Sequence, residues 1–231
     1  LTLFLSTSLI GNTYANDFQD GLDAYNKEDY TTAFNEWQPL AEKGDSSAQN
    51  NLGWLYEIGR GVVKDLKKAF VWYKKSANQG YEIAQNNLDK MFTNGVGVST
   101  DPEKAFEWYK KFALQGNAMA QNNLGFLYEE GEGVTQSYKK AFEWYTRAAN
   151  NGNTLAQMSL GFFYEYGKGT GINYSKAFKW YQKAANNGDD IAQQSLGVLY
   201  ESGKGVKQDL NKAFEWYVKA ANQGNKLAKK N

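Results

Sequence analysis

The sequence predicts an all-α protein, a right-handed α-α superhelical solenoid built from 36-residue helix–loop–helix repeats. Three observations carry that reading. The pair Ala48-Gln49 returns as Ala84-Gln85, Ala120-Gln121, Ala156-Gln157 and Ala192-Gln193, always after 36 residues and without insertion or deletion. A fixed period of 20–50 residues marks stacked supersecondary units that share one core. Within each copy apolar residues fall at helical spacing, and glycines punctuate every copy at the same places.

Residues 1–15 are set apart from the fold. Leu1 to Gly11 is uncharged and apolar, and it runs into Thr13-Tyr14-Ala15, a small-x-small pattern. This matches the apolar region and cleavage site of a secretory signal peptide, so the mature chain is expected to be periplasmic or secreted. A packed N-terminal helix is the competing reading. The run falls short of the roughly 20 residues of a spanning helix, so no stable membrane span is expected after signal removal. Residues 16–44 form a shorter leading unit, 45–224 hold five full copies, and 225–231 begin a further copy as a C-terminal partial repeat or cap.

Residues 45–80 show how one copy is built. Asp45 is a good N-cap, followed by Ala48, Leu52, Leu55 and Tyr56 at helical spacing. Gly59 stops this first helix, and Gly59-Arg60-Gly61-Val62-Val63-Lys64 forms a loop closed by Asp65 as the next cap. The second helix carries Ala69, Phe70, Trp72, Tyr73 and Ala77 and ends at Gly80. Asp29, Asp101, Ser137, Asn173 and Asp209 repeat the second cap, and Pro102 follows Asp101 where its missing N–H is harmless. Gly53, Gly125, Gly161 and Gly197 lie inside the first helix, at a cost of about 1 kcal/mol each relative to Ala. That recurrence predicts close approach of the partner helix, with an aromatic over the bare backbone. Trp72, Trp108, Trp144, Trp180 and Trp216 recur in register with the apolar positions and read as core.

Composition narrows the chemistry. The net charge is +1, from 26 basic and 25 acidic residues spread without blocks. That is not the basic stripe that nucleic acid needs, so no nucleic-acid partner is expected. There is no histidine and no cysteine, which removes thiolate nucleophiles, His-based acid–base pairs and ordinary zinc sites. No catalytic residue, cofactor or metal is expected, and the chain reads as a monomer.

The pattern Ala-Gln-x-x-Leu-Gly-x-x-Tyr, then Gly-x-Gly-Val, then Lys-Ala-Phe-x-Trp-Tyr-x-x-Ala-Ala resembles the Sel1-like repeat, a longer-looped relative of the tetratricopeptide repeat. The resemblance covers residues 45–224. The leading unit is similar to a tetratricopeptide-type repeat through Gly21, Leu22, Ala24, Tyr25, Ala33, Phe34 and Ala41, without the Gly-x-Gly loop. The second copy departs from the pattern, with Asp89 in place of the helix glycine and Phe92 in place of tyrosine. The resemblance implies an adaptor scaffold of the bacterial envelope that binds a protein or peptide partner.

At ~100° per residue, Asn50, Trp54 and Glu57 lie opposite the apolar stripe of their helix. Their counterparts are Asn86 and Lys90, then Asn122, Phe126 and Glu129, then Met158, Phe162 and Glu165, then Gln194, Val198 and Glu201. In a superhelix of helix pairs this side lines the concave face. Asparagines can hold an extended peptide by paired donor and acceptor bonds, aromatics can anchor it, and glutamates can meet a basic residue. The apolar row reads equally as inter-repeat core, and the glutamates read first as a solvated face. Two further functions stay open: a weak hydrolase of cell-wall amides or β-lactams, and a purely structural spacer. For the first, Ser137-Tyr138-Lys139-Lys140 has Ser-x-x-Lys spacing, but no Ser-Asp-Asn or Lys-Thr-Gly accompanies it, and capping accounts for Ser137.

Overall fold

Local capping chemistry sets the helix starts. In the computed structural model, which describes residues 18–93, 102–225 and 228, Asp45 Oδ1 accepts the Ala48 N–H at 2.7 Å and Asp65 Oδ1 accepts the Lys68 N–H at 3.0 Å. Asp29, Asn117, Ser137, Asn153, Asn173, Asp189 and Asp209 cap their helices in the same way. Each cap contributes about 1 kcal/mol. Asp101, residues 1–15 and the lysines at 226, 229 and 230 lie outside the described residues. Gly59 ends its helix in the left-handed region at φ 73°, as expected.

All regular structure among the described residues is helical, and it falls into two compact units, up to Thr100 and from Asp101 onward. The first unit holds α1 (18–26), α2 (Tyr30–Glu42), α3 (Ser46–Ile58), α4 (Leu66–Asn78) and α5 (Glu82–Thr93). The second holds α6 (Pro102–Leu114), α7 (Ala118–Glu130), α8 (Tyr138–Asn150), α9 (Thr154–Tyr166), α10 (Tyr174–Asn186), α11 (Asp190–Ser202) and α12 (Leu210–Asn222). In each unit consecutive helices pack against one another, the arrangement of a helix–loop–helix repeat array.

Within a repeat, the helix glycine receives an aromatic ring, as its position predicts. A Cβ built on Gly53 would lie 2.6 Å from Tyr73 Cδ1, and one on Gly125 would lie 2.7 Å from Tyr145 Cδ1. Gly161 meets Tyr181 and Gly197 meets Tyr217 in the same way, and Gly21 of the leading unit meets Trp37. The buried ring is the tyrosine, however. Trp72, Trp108, Trp144, Trp180 and Trp216 are only half-buried, which corrects their assignment to the core. Trp and Tyr are neighbours in sequence and so ~100° apart on the helix; only one can face the glycine. The indole instead lies at the helix flank under a cation one turn on, with Lys75 Nζ 4.1 Å from the Trp72 ring centre and Lys183 Nζ 4.1 Å from that of Trp180.

Between repeats, the second-helix phenylalanine meets the aromatic of the next first helix edge to face. Phe34–Tyr56 and Phe70–Phe92 do so in the first unit. Phe106–Tyr128, Phe142–Tyr164 and Phe178–Tyr200 do so in the second, with centroids 5.3–5.4 Å apart. Such pairs add about 0.5–1.5 kcal/mol beyond burial.

Candidate partner-binding surface

The signature glutamine is a structural bridge. Gln49 Nε2 donates to the Ala41 carbonyl at 2.9 Å, and its Oε1 accepts from Gln79 Nε2 at 2.8 Å. The first bond satisfies a last-turn carbonyl of the preceding helix, and the second ties in the end of the repeat's own second helix. Gln121, Gln157 and Gln193 repeat both bonds. Gln49 is buried, which suits a group whose hydrogen bonds are made inside the protein.

The glutamates of the candidate row are also engaged. Tyr73 Oη donates to Glu57 Oε2 at 2.6 Å, and Tyr145–Glu129, Tyr181–Glu165 and Tyr217–Glu201 pair likewise at 2.7–3.0 Å. Glu129 also accepts from Lys168 Nζ of the next repeat at 3.2 Å. Burial, reinforced by the adjacent carboxylate, pushes the Tyr73, Tyr145 and Tyr181 hydroxyls above their usual range. The glutamates therefore clasp the ring that covers the helix glycine.

The remaining row residues divide by position. Asn50 is 6% exposed, donates to Asn51 Oδ1 at 3.3 Å and accepts from Asn87 Nδ2 at 3.0 Å. Trp54 packs edge-on against Tyr25 at 5.2 Å, inside the seam with the leading repeat. Asn86, Gln194 and Val198 are half-buried, and Lys90 is exposed. Met158 and Phe162 are half-buried against the α10–α11 core, with the Phe162 ring tilted against Tyr166 at a centroid distance of 4.5 Å.

Asn122 and Phe126 differ from the rest. They stand one turn apart on α7. Asn122 Nδ2 donates to Asn123 Oδ1 at 3.2 Å, but Asn122 Oδ1 is buried with no hydrogen-bond partner among the described residues. Phe126 is 46% exposed. The Asn87 that satisfies Asn50 has Ser159 as its counterpart one repeat beyond Asn122, and serine lacks the amide donor.

The Sel1 repeat family matches residues 46–81, 83–117, 118–153, 154–189 and 190–225. The chain is a Sel1 repeat protein. Its structure is similar to that of c5321, a protective antigen of uropathogenic Escherichia coli, with a TM-score of 0.85 and 33% identity over 94% of this chain and 48% of that one. A Sel1 repeat protein from Oxalobacter formigenes gives a TM-score of 0.79 at 35% identity, over 92% of this chain and 84% of its own. A 41-residue stretch is 51% identical to the DAP3-binding cell death enhancer 1 of Rattus norvegicus and Mus musculus, 18% of this chain and 8% of theirs. The chain thus spans about half of the E. coli antigen and under a tenth of the rodent proteins. Sel1 repeat proteins generally mediate protein–protein interaction.

Two features of the Sel1 repeats escaped the sequence reading: the bridging glutamine and the Tyr–Glu clasp. A signal for the clasp is present. Every described copy with the helix glycine carries the glutamate four residues later, and the copy with Asp89 has Thr93 there instead. The Ser-x-x-Lys element resolves as a cap: Ser137 Oγ accepts the Lys140 N–H at 3.3 Å, while Lys140 Nζ lies 5.1 Å from the Tyr128 ring centre. No described helix is long and apolar enough to cross a membrane.

Proposed function

We propose that this Sel1 repeat protein is a non-catalytic scaffold, monomeric and exported to the bacterial envelope, that holds an extended peptide segment along the α7–α9 surface. The observation that carries the reading is the orphan acceptor of Asn122 beside the exposed ring of Phe126. A buried acceptor without a donor costs about 1–3 kcal/mol, and outward rotation of the Asn122 amide would let a backbone N–H of a bound peptide satisfy it. Phe126 would anchor a neighbouring side chain, with Met158 and Phe162 as the apolar floor. An exposed aromatic next to an unmet acceptor serves a spacer poorly, which favours binding over a purely structural role. The apolar segment before Ala15 supports export, and the antigenic character of the E. coli relative agrees with it. The even charge supports a protein rather than a nucleic-acid partner.

The test is affinity capture from envelope extract with the mature chain and with Asn122→Ala and Phe126→Ala variants. Both positions lie outside the Tyr–Glu and Gln bridges, so melting temperatures should stay within a few degrees of wild type. A captured protein should be lost at least about tenfold with Phe126→Ala, the effect of removing a hot-spot aromatic. Folded variants that keep every partner place binding elsewhere.

A further inference from the structure

The charge of the chain is balanced overall but not by helix. α4 carries Lys67, Lys68, Lys74 and Lys75 without an acidic residue, and α10 carries Lys176, Lys179 and Lys183 without one. On the first unit this cationic side has a shape. An open recess of about 370 Å³ is lined by Tyr56, Lys67, Lys68, Val71, Trp72 and Lys75. Val71 is 49% exposed, and Tyr56 and Trp72 are half-buried, so the floor is apolar. None of Lys67, Lys68 and Lys75 pairs with a carboxylate among the described residues. Lys68 Nζ lies 5.2 Å from the Tyr56 ring centre, and Lys75 Nζ 4.1 Å from that of Trp72.

We propose that this recess is a second docking site, distinct from the α7–α9 surface, for an acidic peptide segment that pairs carboxylates with an apolar side chain. The three ammonium groups supply charge complementarity, and exposed Val71, with the ring edges that the lysines leave open, takes the apolar side chain. The rings hold two of the ammoniums in place, so little side-chain freedom is lost when a carboxylate arrives. Those same contacts argue against a nucleic acid, because the ring faces that would stack on bases are occupied by lysines. Related cation–ring pairs on α8, α10 and α12 give the fold a recurrent way to hold lysine or arginine side chains at this position.

The experiment is fluorescence anisotropy with a labelled twelve-residue peptide of alternating Glu and Leu. Its Gln-for-Glu analogue and an oligouridylate of equal charge serve as comparators. The expected result is saturable binding of the acidic peptide, weakened by added salt. The analogue should bind at least about tenfold more weakly, as should the acidic peptide to a Lys67→Glu/Lys75→Glu variant. Lys67→Gln/Lys75→Gln gives the same readout with less change of charge, and Lys207→Glu in another repeat should leave binding unchanged. Asn122→Ala should also leave it unchanged, which separates this site from the α7 surface. The proposal is overturned by equal binding to the double variants, equal binding of the Gln analogue, loss of binding in Asn122→Ala, or tighter binding of the oligouridylate.

Discussion

Replacing Gly53 by alanine should destabilise the chain by about 2 kcal/mol, although alanine is the better helix former. The new methyl would lie 2.6 Å from Tyr73 Cδ1 and 2.7 Å from Cε1. Tyr73 is fully buried and is held at its far end by Glu57, so the ring cannot swing away without breaking that bond. Overpacking a tight core costs about 1–3 kcal/mol. The strained or lost hydrogen bond adds about 1 kcal/mol, and the gain in helix propensity returns about 1 kcal/mol. Gly171→Ala is the control, since its Cβ would meet nothing within 4 Å; it should change stability by less than about 0.5 kcal/mol. Urea unfolding monitored by circular dichroism measures both. A Gly53→Ala protein as stable as wild type would mean that the glycine is not there to admit the ring.

The larger effect is expected from alkali. Tyr73, Tyr145 and Tyr181 have hydroxyl pKa values raised by burial and by the facing glutamates, whereas in the unfolded chain they ionise near 10. Each therefore contributes stability that is fully present below about pH 10 and is lost as the pH rises beyond it. The slope is about 1.4 kcal/mol per pH unit for each group, or about 4 kcal/mol for the three by pH 11. Urea midpoints should be flat between pH 7 and 9.5 and fall steeply above 10. Substituting the three by phenylalanine should flatten the fall that remains after lysine deprotonation. In the folded protein, absorbance titration near 295 nm should show these three of the 16 tyrosines ionising only on unfolding. Reversible ionisation of all the tyrosines near pH 10 without unfolding would contradict the buried clasp.

These two effects mark what could be read from the chain. Helix ends were legible because caps and left-handed glycines act within a few residues. The ring-over-glycine contact was legible because a glycine in mid-helix violates propensity and so demands a reason. Which ring fills the space was not, since the choice between Trp72 and Tyr73 depends on the rotation of one helix against another. The role of Glu57, Glu129, Glu165 and Glu201 was hidden for a similar reason. Their tyrosines lie 16 residues away across a loop, and single-helix geometry shows only that they face away from the apolar stripe. The basic recess was masked by an overall charge of +1, an average that cancels α4 against acidic residues elsewhere.

Of the fourteen row residues, the Glu clasps and the Asn50 and Trp54 seam contacts account for six; Asn122 and Phe126 carry the case for a ligand. The direct measurement is site-specific photo-cross-linking in living cells, with p-benzoylphenylalanine at Phe126 and, as control, at Ile172, an apolar residue that is 61% exposed on the loop between α9 and α10. A discrete adduct is expected from position 126, abolished by Asn122→Ala, and none from position 172. An adduct from position 172 with none from position 126 would contradict binding at the α7–α9 surface.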